Sequence, residues 1–163
     1  LKVLIGVEIP GLECIVLRDK GYTKFMEENN ISYDVIEIGL DRADMEMRMI
    51  AYLTKHQDID IIVTHGASSS SAVARACSKW WKPGEKVIAS FDLNPDTIED
   101  IKKGWIQLIA NQPMYMQGYL PVLIAFWKLQ YEMGPIDIDT GVDLVDKNNI
   151  EIIQNAQKKL LYR

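Results

Sequence analysis

Several features are scarce or missing in this sequence of 163 residues, and each absence excludes a class of function. Its 18 Lys and Arg are outnumbered by 23 Asp and Glu, and the net charge of −5 argues against a nucleic acid or an anionic membrane as the main partner. No uninterrupted apolar run approaches the roughly 18 residues of a membrane-spanning helix. No Cys/His spacing suggests zinc, and GVEIPG lacks a dinucleotide-binding glycine fingerprint. We therefore expect no metal, no cofactor and no catalytic residue.

The two cysteines say little about the redox compartment. Cys14 and Cys77 both lie among apolar residues, where a buried free thiol is the usual state. A bridge between them, formed in an oxidising compartment, is the alternative.

Apolar runs and helical spacings alternate along the chain. Most of the apolar runs are rich in Val and Ile and nearly continuous, which is typical of strands covered on both faces. The predicted strands are 3–7, 33–38, 59–64, 87–93, 106–110 and 142–145. The predicted helices are 13–28, 43–56, 68–79, 95–103, 113–133 and 148–161. This order predicts a single α/β domain over residues 1–163, with a Rossmann-like or flavodoxin-like parallel sheet of five to six strands and helices on both faces.

One predicted helix has clear signals at both ends. Asn94 can cap it, Pro95 fits its first position and Gly104 fits its end. The strand before this helix runs into Asp92. In open α/β sheets the carboxyl ends of the strands are where ligands bind, so this aspartate is a candidate site residue.

Residues that follow the predicted strands would share one edge of the sheet. They are Arg18, Asp41, His65, Gly66, Asp92, Asn111 and Gln112. The polar groups among them suit a neutral, hydroxyl-rich ligand, because each hydroxyl both donates and accepts a hydrogen bond. Structural interpretations stay open beside this one: Asp92 as a turn former, His65 as a buried structural histidine and Arg18 as a solvated helix residue.

Three segments resemble a known family. VIASFDLNPDTIEDIKKGWIQLIANQPMYMQGYLPVLI (87–124) is similar to the sugar-binding proteins of bacterial ABC transporters, the ribose-binding type of periplasmic binding protein. YLTKHQDIDIIVTHG (52–66) and RDKGY (18–22) resemble other segments of the same family. The resemblance runs over essentially the whole chain but only over the second half of the family, so the amino-terminal lobe is absent.

The resemblance implies a non-enzymatic protein with two Rossmann-like lobes that close on a monosaccharide or polyol. It implies that Arg18 hydrogen-bonds sugar hydroxyls, that Asp92 accepts hydrogen bonds from them, and that Asn111 is the polar hinge residue. The resemblance implies three binding partners: the sugar, the amino-terminal lobe of the same protein and the permease of the ABC transporter. The implied location is periplasmic or extracellular, with the full-length protein lipid-anchored or soluble.

Two positions depart from the family pattern. Leu40 stands where relatives often have an aromatic side chain that stacks on the sugar. Gly66 stands where many relatives have a ligand-binding Asn, and we expect His65 to compensate for the missing side chain. Asp41 and Gln112 are neighbours of the matched positions and complete the expected ligand-binding set.

The segment 112–139 would be a hinge and helix belonging to the missing lobe. Its helix, 113–133, is very apolar, and leaving it exposed would create a large apolar patch. We therefore expect it to fold back onto its own sheet, which would complete a flavodoxin-like domain, or to be exchanged between the two copies of a homodimer.

Two other functions share this fold. The first is the effector domain of a LacI-type transcription regulator, for which a basic helix-turn-helix upstream would be evidence. The second is a flavodoxin-like signalling or enzyme module, which a bound flavin or an acidic Mg²⁺ pocket would indicate. The end of the first predicted strand offers only Glu8 and no aspartate pair, which argues against the flavodoxin-like module. The segment QPMYMQGYLP (112–121) favours the transporter family over the repressor, so the sugar-binding protein is the leading hypothesis.

Overall fold

The computed structural model describes residues 1–161, and the predicted elements are all found there with their ends shifted by a few residues at most. The strands are β1 (Lys2–Val7), β2 (Ser32–Glu37), β3 (Ile61–Val63), β4 (Val87–Phe91), β5 (Leu108–Asn111) and β6 (Asp143–Val145). The helices are α1 (Glu13–Glu28), α2 (Arg42–Leu53), α3 (Ala67–Cys77), α4 (Pro95–Lys102), α5 (Met114–Tyr131) and α6 (Ile150–Leu161). The α/β fold expected from the sequence is confirmed.

The sheet is mixed rather than wholly parallel. Its strand order is β2-β1-β3-β4-β5-β6, and the first five strands are parallel. β6 runs antiparallel to β5, with Asn111 paired to Asp143, so the expectation of an all-parallel sheet is wrong at this edge. The cause is the path of the chain, which leaves the carboxyl end of β5, passes through α5 and returns to the same end of the sheet.

Two apolar cores lie on opposite faces of the sheet, as the nearly continuous apolar runs predict. The larger one packs α2, α3, α4 and the start of α6 against one face and includes Leu4 and Ile62. The smaller one lies under α1 and includes Ile5 and Val63. Neighbouring residues of one strand therefore enter different cores, and each fully buried aliphatic side chain stabilises the fold by about 1.5–3 kcal/mol.

The ends of α4 are formed as its sequence predicts. The Asn94 side chain accepts a hydrogen bond from the Thr97 N–H, and the Thr97 hydroxyl accepts one from the Asn94 N–H, which is a complete capping box. Pro95 occupies the first turn. Gly104 follows the helix with a φ of +82°, a conformation that a glycine adopts without strain.

The two thiols lie in different surroundings and are both free. Cys77 is buried in α3 as expected, and burial raises the pKa of its thiol to about 12. Cys14 is exposed, so the expectation of burial is wrong there. The reason is its place in the first turn of α1, where the next residue, Ile15, is the one that enters the core.

Helix α5 stands apart from the sheet, so the expectation that it folds back is wrong. None of its residues is buried, and Leu129 is 84% exposed. The sheet face beside α1 that it could have covered stays open at Leu108 and Leu144. Its apolar residues lie on all sides of the helix instead of forming one stripe, a pattern typical of helices that are buried from several sides. No single face of α5 is therefore suited to packing on this sheet. Even so, no helix within residues 1–161 is both long and apolar enough to cross a membrane.

Candidate functional site

The carboxyl ends of β1, β3, β4 and β5 lie along one edge of the sheet, which we call the carboxyl rim. Parallel pairing places these four ends side by side, so the segments that follow them approach one another. Most of the residues selected from the sequence lie here, on the rim itself or on the first turns of the helices that leave it.

Arg18 reaches the rim from α1. Its Nη1 donates a hydrogen bond of 2.9 Å to the His65 carbonyl oxygen, and its guanidinium carbon lies 3.9 Å from the centre of the Phe91 ring. A cation over an aromatic face is attracted to the ring's negative π face. Among the described residues, no carboxylate lies within ion-pair distance of Arg18. The guanidinium is therefore fixed in position with its charge not neutralised.

His65 follows β3, but its ring turns away from solvent. The side chain has no exposed surface, with Nε2 2.8 Å from Asp19 Oδ1 and Nδ1 3.2 Å from the Gly6 carbonyl oxygen. Both partners carry acceptor oxygens, so the ring is held from two sides. The expectation that His65 contacts the ligand in place of a residue 66 side chain is not supported. Its imidazole is instead a structural group that holds the segment behind Arg18.

Tyr22 completes the buried side of this cluster. Its hydroxyl donates a 3.0 Å hydrogen bond to the Thr64 carbonyl oxygen, and its ring centre lies 5.7 Å from that of His65. Burial raises the pKa of the Tyr22 hydroxyl well above its usual range, so the group stays neutral. The tyrosine therefore anchors α1, and with it Arg18, to the end of β3.

Gly66 lies beside Glu8, which is not among the ligand-binding residues predicted from the sequence. A Cβ placed on Gly66 would lie 2.9 Å from Oε1 of Glu8 and 3.2 Å from Oε2. The same carboxylate accepts a short hydrogen bond from the Ser69 hydroxyl in the first turn of α3. The signal for Glu8 is present in the sequence, because this residue directly follows β1 at the rim.

Asp92 and Gln112 are joined at the ends of β4 and β5. The Gln112 side-chain amide donates a 3.1 Å hydrogen bond to Asp92 Oδ1. Asp92 has a φ of +64°, a left-handed conformation that is uncommon outside glycine and often marks a functional position. The Arg18 guanidinium lies over the ring of its neighbour, Phe91. Arg18 and the Asp92–Gln112 pair therefore meet at the end of β4.

Asn111 is buried at the end of β5 with 4% of its surface exposed. Its side-chain amide forms no hydrogen bond with any described residue, and its atoms are not among the fully enclosed, unpartnered polar atoms of that part of the chain. It lines an open cavity of about 410 Å³, whose walls also include Gln112, Leu93 and the first turn of α5. The amide is thus available to a hydroxyl-bearing ligand.

Leu40 and Asp41 are not brought into this group by any contact. Leu40 is 63% exposed after the edge strand β2. The Asp41 carboxylate caps α2, where Oδ1 accepts hydrogen bonds from the Ala43 and Asp44 amides at 2.9 and 3.0 Å. This capping role occupies the Asp41 carboxylate. Its neighbour Arg42 bridges to α4.

Comparisons with known proteins agree on one family. The model of the periplasmic binding protein domain matches residues 1–132. The chain is 27% identical over 157 residues to the xylose/arabinose-binding protein XylF of Sulfolobus acidocaldarius, and the match covers 92% of this chain but 39% of that protein. The chain thus spans well under half the length of this curated relative.

Solved structures show the same fold at low sequence identity. A carbohydrate transporter solute-binding protein from Agrobacterium radiobacter, in complex with D-arabinose, is similar with a TM-score of 0.82 and 19% identity, over 96% of this chain and 54% of that one. A carbohydrate transporter from Acidothermus cellulolyticus, in complex with myo-inositol, gives a TM-score of 0.81 and 22% identity, over 98% and 55%. The similarity covers about half of each of these structures.

Proposed function

Since the chain belongs to the family of periplasmic binding protein domains, we propose that it forms one lobe of a sugar-binding protein that delivers its ligand to an ABC transporter. The ligand is a monosaccharide or polyol, bound at the carboxyl rim and released chemically unchanged. The relative from Sulfolobus acidocaldarius is named for xylose and arabinose, which supports a neutral sugar as the ligand class. The repressor domain and the flavodoxin-like enzyme receive no support from this family or this relative.

The observation that carries the proposal is the set of polar groups along the rim whose hydrogen-bonding capacity the protein does not fully use. Arg18 offers donors without a neutralising carboxylate, and Asp92 offers an acceptor oriented by Gln112. Asn111 adds a side-chain amide that lines the cavity and has no partner among residues 1–161. Sugar hydroxyls both donate and accept, so a single ligand can satisfy all of these groups at once.

A second lobe is part of the proposal. The chain spans about half of its structural relatives, and α5 exposes apolar residues all around. We propose that residues 112–139 cross into the amino-terminal lobe of the same protein, where α5 is buried, and that the chain returns to this lobe at β6. If the chain exists alone, the same surface favours a homodimer in which α5 is exchanged between the copies.

The remaining partners follow from the transporter. The permease binds the closed, sugar-loaded form, and the full-length protein is periplasmic or extracellular, either soluble or lipid-anchored. An isolated lobe would bind sugar weakly, because half of the ligand contacts and the exclusion of water on closure are missing.

Titration calorimetry on the full gene product that contains residues 1–163 tests the function. The panel is D-xylose, L-arabinose, D-ribose, D-glucose, D-galactose and myo-inositol. We expect saturable binding of at least one of these, weakened about 10- to 100-fold by Asp92→Asn, since a hydrogen bond to a charged group is worth about 1.5–3 kcal/mol. Asp58→Asn is the matched control, because Asp58 precedes β3 and lies at the opposite end of the sheet. Absence of binding across the panel would reject the proposal.

A further inference from the structure

Glu8 lies at the β1 end of the carboxyl rim. It directly follows β1, which pairs with β3, and so it stands beside the segment His65–Gly66 that follows β3. Its side chain is partly exposed, whereas the His65 side chain is fully enclosed. Of these two neighbours, the carboxylate is the one that a ligand at the rim could touch.

The Glu8 carboxylate occupies the space in front of residue 66. A Cβ at that position would come within 2.9 Å of Oε1, which is closer than real Cβ contacts. The backbone of Gly66 is extended, with φ −158° and ψ 169°, so any residue could adopt its conformation. The space that Glu8 takes therefore explains the absence of a side chain at position 66. The backbone conformation does not require a glycine there.

The carboxylate is only partly satisfied by the protein. Oε1 accepts a hydrogen bond from the Ser69 hydroxyl, whereas Oε2 has no hydrogen-bond partner among residues 1–161. The Ser69 hydroxyl is also 2.9 Å from the Gly66 carbonyl oxygen, and its one proton serves a single acceptor. The same carbonyl accepts from the Ser90 hydroxyl and from the Ser70 N–H, each at 3.1 Å, so both of its lone pairs are used and the Ser69 proton is left to Glu8. One carboxylate oxygen remains open for a donor.

Glu8 and Arg18 flank the same two-residue segment. Arg18 donates to the carbonyl of His65, and Glu8 lies against Gly66, yet the two side chains form no ion pair within 4.0 Å. A guanidinium and a carboxylate that touch the same two-residue segment without pairing present donors and an acceptor along the same stretch of the rim. Adjacent hydroxyls of a sugar can accept from one and donate to the other.

We propose that Glu8 is a ligand-binding residue that determines specificity, with Oε2 accepting a hydrogen bond from one sugar hydroxyl. This inference rests on the proposed sugar-binding function. The ligand it selects is a neutral sugar or polyol that has a hydroxyl at this position, because an acidic sugar would bring a like charge beside the carboxylate and a deoxy sugar would leave it unpaired.

The test uses the full gene product, the tightest-binding sugar of the panel above and each commercially available monodeoxy analogue of that sugar. Glu8→Gln should weaken binding of the parent sugar about 10- to 100-fold, because the acceptor loses its charge. Glu99→Gln, on the exposed side of α4, removes the same charge away from the rim and should leave affinity unchanged. In the unmodified protein one deoxy analogue should bind markedly more weakly than the parent, and Glu8→Gln should abolish most of that difference.

Gly66→Ala provides a second variant that keeps the charge. The added methyl group displaces the carboxylate, so it should weaken the parent sugar and reduce the same deoxy discrimination, and it carries the test if Glu8→Gln does not fold. Circular dichroism of each variant reports folding.

Three results would overturn the inference. In the first, Glu8→Gln binds as tightly as the unmodified protein. In the second, it binds more weakly but keeps full discrimination against every deoxy analogue, which would make Glu8 a structural residue only. In the third, the unmodified protein binds no sugar of the panel, and the proposed function fails together with the inference.

Discussion

The hydrogen bond between Asp19 and His65 should stabilise the lobe, and Asp19→Ala measures by how much. The bond spans 2.8 Å from Asp19 Oδ1 to His65 Nε2, and the imidazole is fully buried. Without the carboxylate a buried ring nitrogen loses its partner, which costs about 2 kcal/mol. Urea unfolding of this chain, followed by far-UV circular dichroism, should show the loss. With a slope of about 2 kcal/mol per molar, the midpoint should fall by about 1 M.

Two further variants make this measurement decisive. Asp19→Asn keeps an oxygen that accepts from the imidazole, so it should lose about half as much stability. Asp58→Ala removes a carboxylate that is paired with Lys2 at the surface, and its unfolding midpoint should stay close to that of the unmodified chain. If Asp19→Ala unfolds at the same urea concentration as Asp58→Ala, the reasoning that His65 is held from α1 is refuted.

The remaining predictions concern the helix cap, the thiols and α5. Asn94→Ala breaks the capping box and should cost about 1 kcal/mol, lowering Tm by about 2–4 °C in a thermal melt, and an unchanged Tm would contradict the role of the cap. At pH 8 a thiol reagent should modify Cys14 quickly and Cys77 only after unfolding, because the raised pKa keeps the buried thiol protonated, and two fast reactions would contradict this. Leu129→Lys should raise the concentration at which the chain self-associates in light scattering, and an equal threshold would show that the exposed apolar surface of α5 does not drive association.

Local signals predicted the parts of the fold that depend on neighbouring residues. The capping residue Asn94, Pro95 at the first position and Gly104 at the end of α4 are each determined within one or two turns of chain, and all three act as expected. The direction of β6 depends instead on where the chain re-enters the sheet after α5. No signal within Asp143–Val145 carries that information, so a parallel strand was the default expectation.

The position of the candidate residues on the carboxyl rim was predictable, but the contacts among them were not. Following the strand ends identified Arg18 and Asp92 on the carboxyl rim. The inward turn of His65 depends on Asp19 and Gly6, which come from two other elements, and no sequence spacing links the three. Likewise, nothing within the segment around position 66 indicates that its missing side chain is matched by one from the end of β1.

The close contact between Glu8 and Gly66 limits the order in which these two positions can evolve. A lineage that gains a side chain at position 66 first would push the carboxylate away before anything replaces it. Shortening residue 8 first opens the space without a clash, at the expense of one ligand contact. We therefore expect the accessible route between the two arrangements to pass through a small residue at both positions, an intermediate with weak ligand selection from which new sugar preferences can diverge.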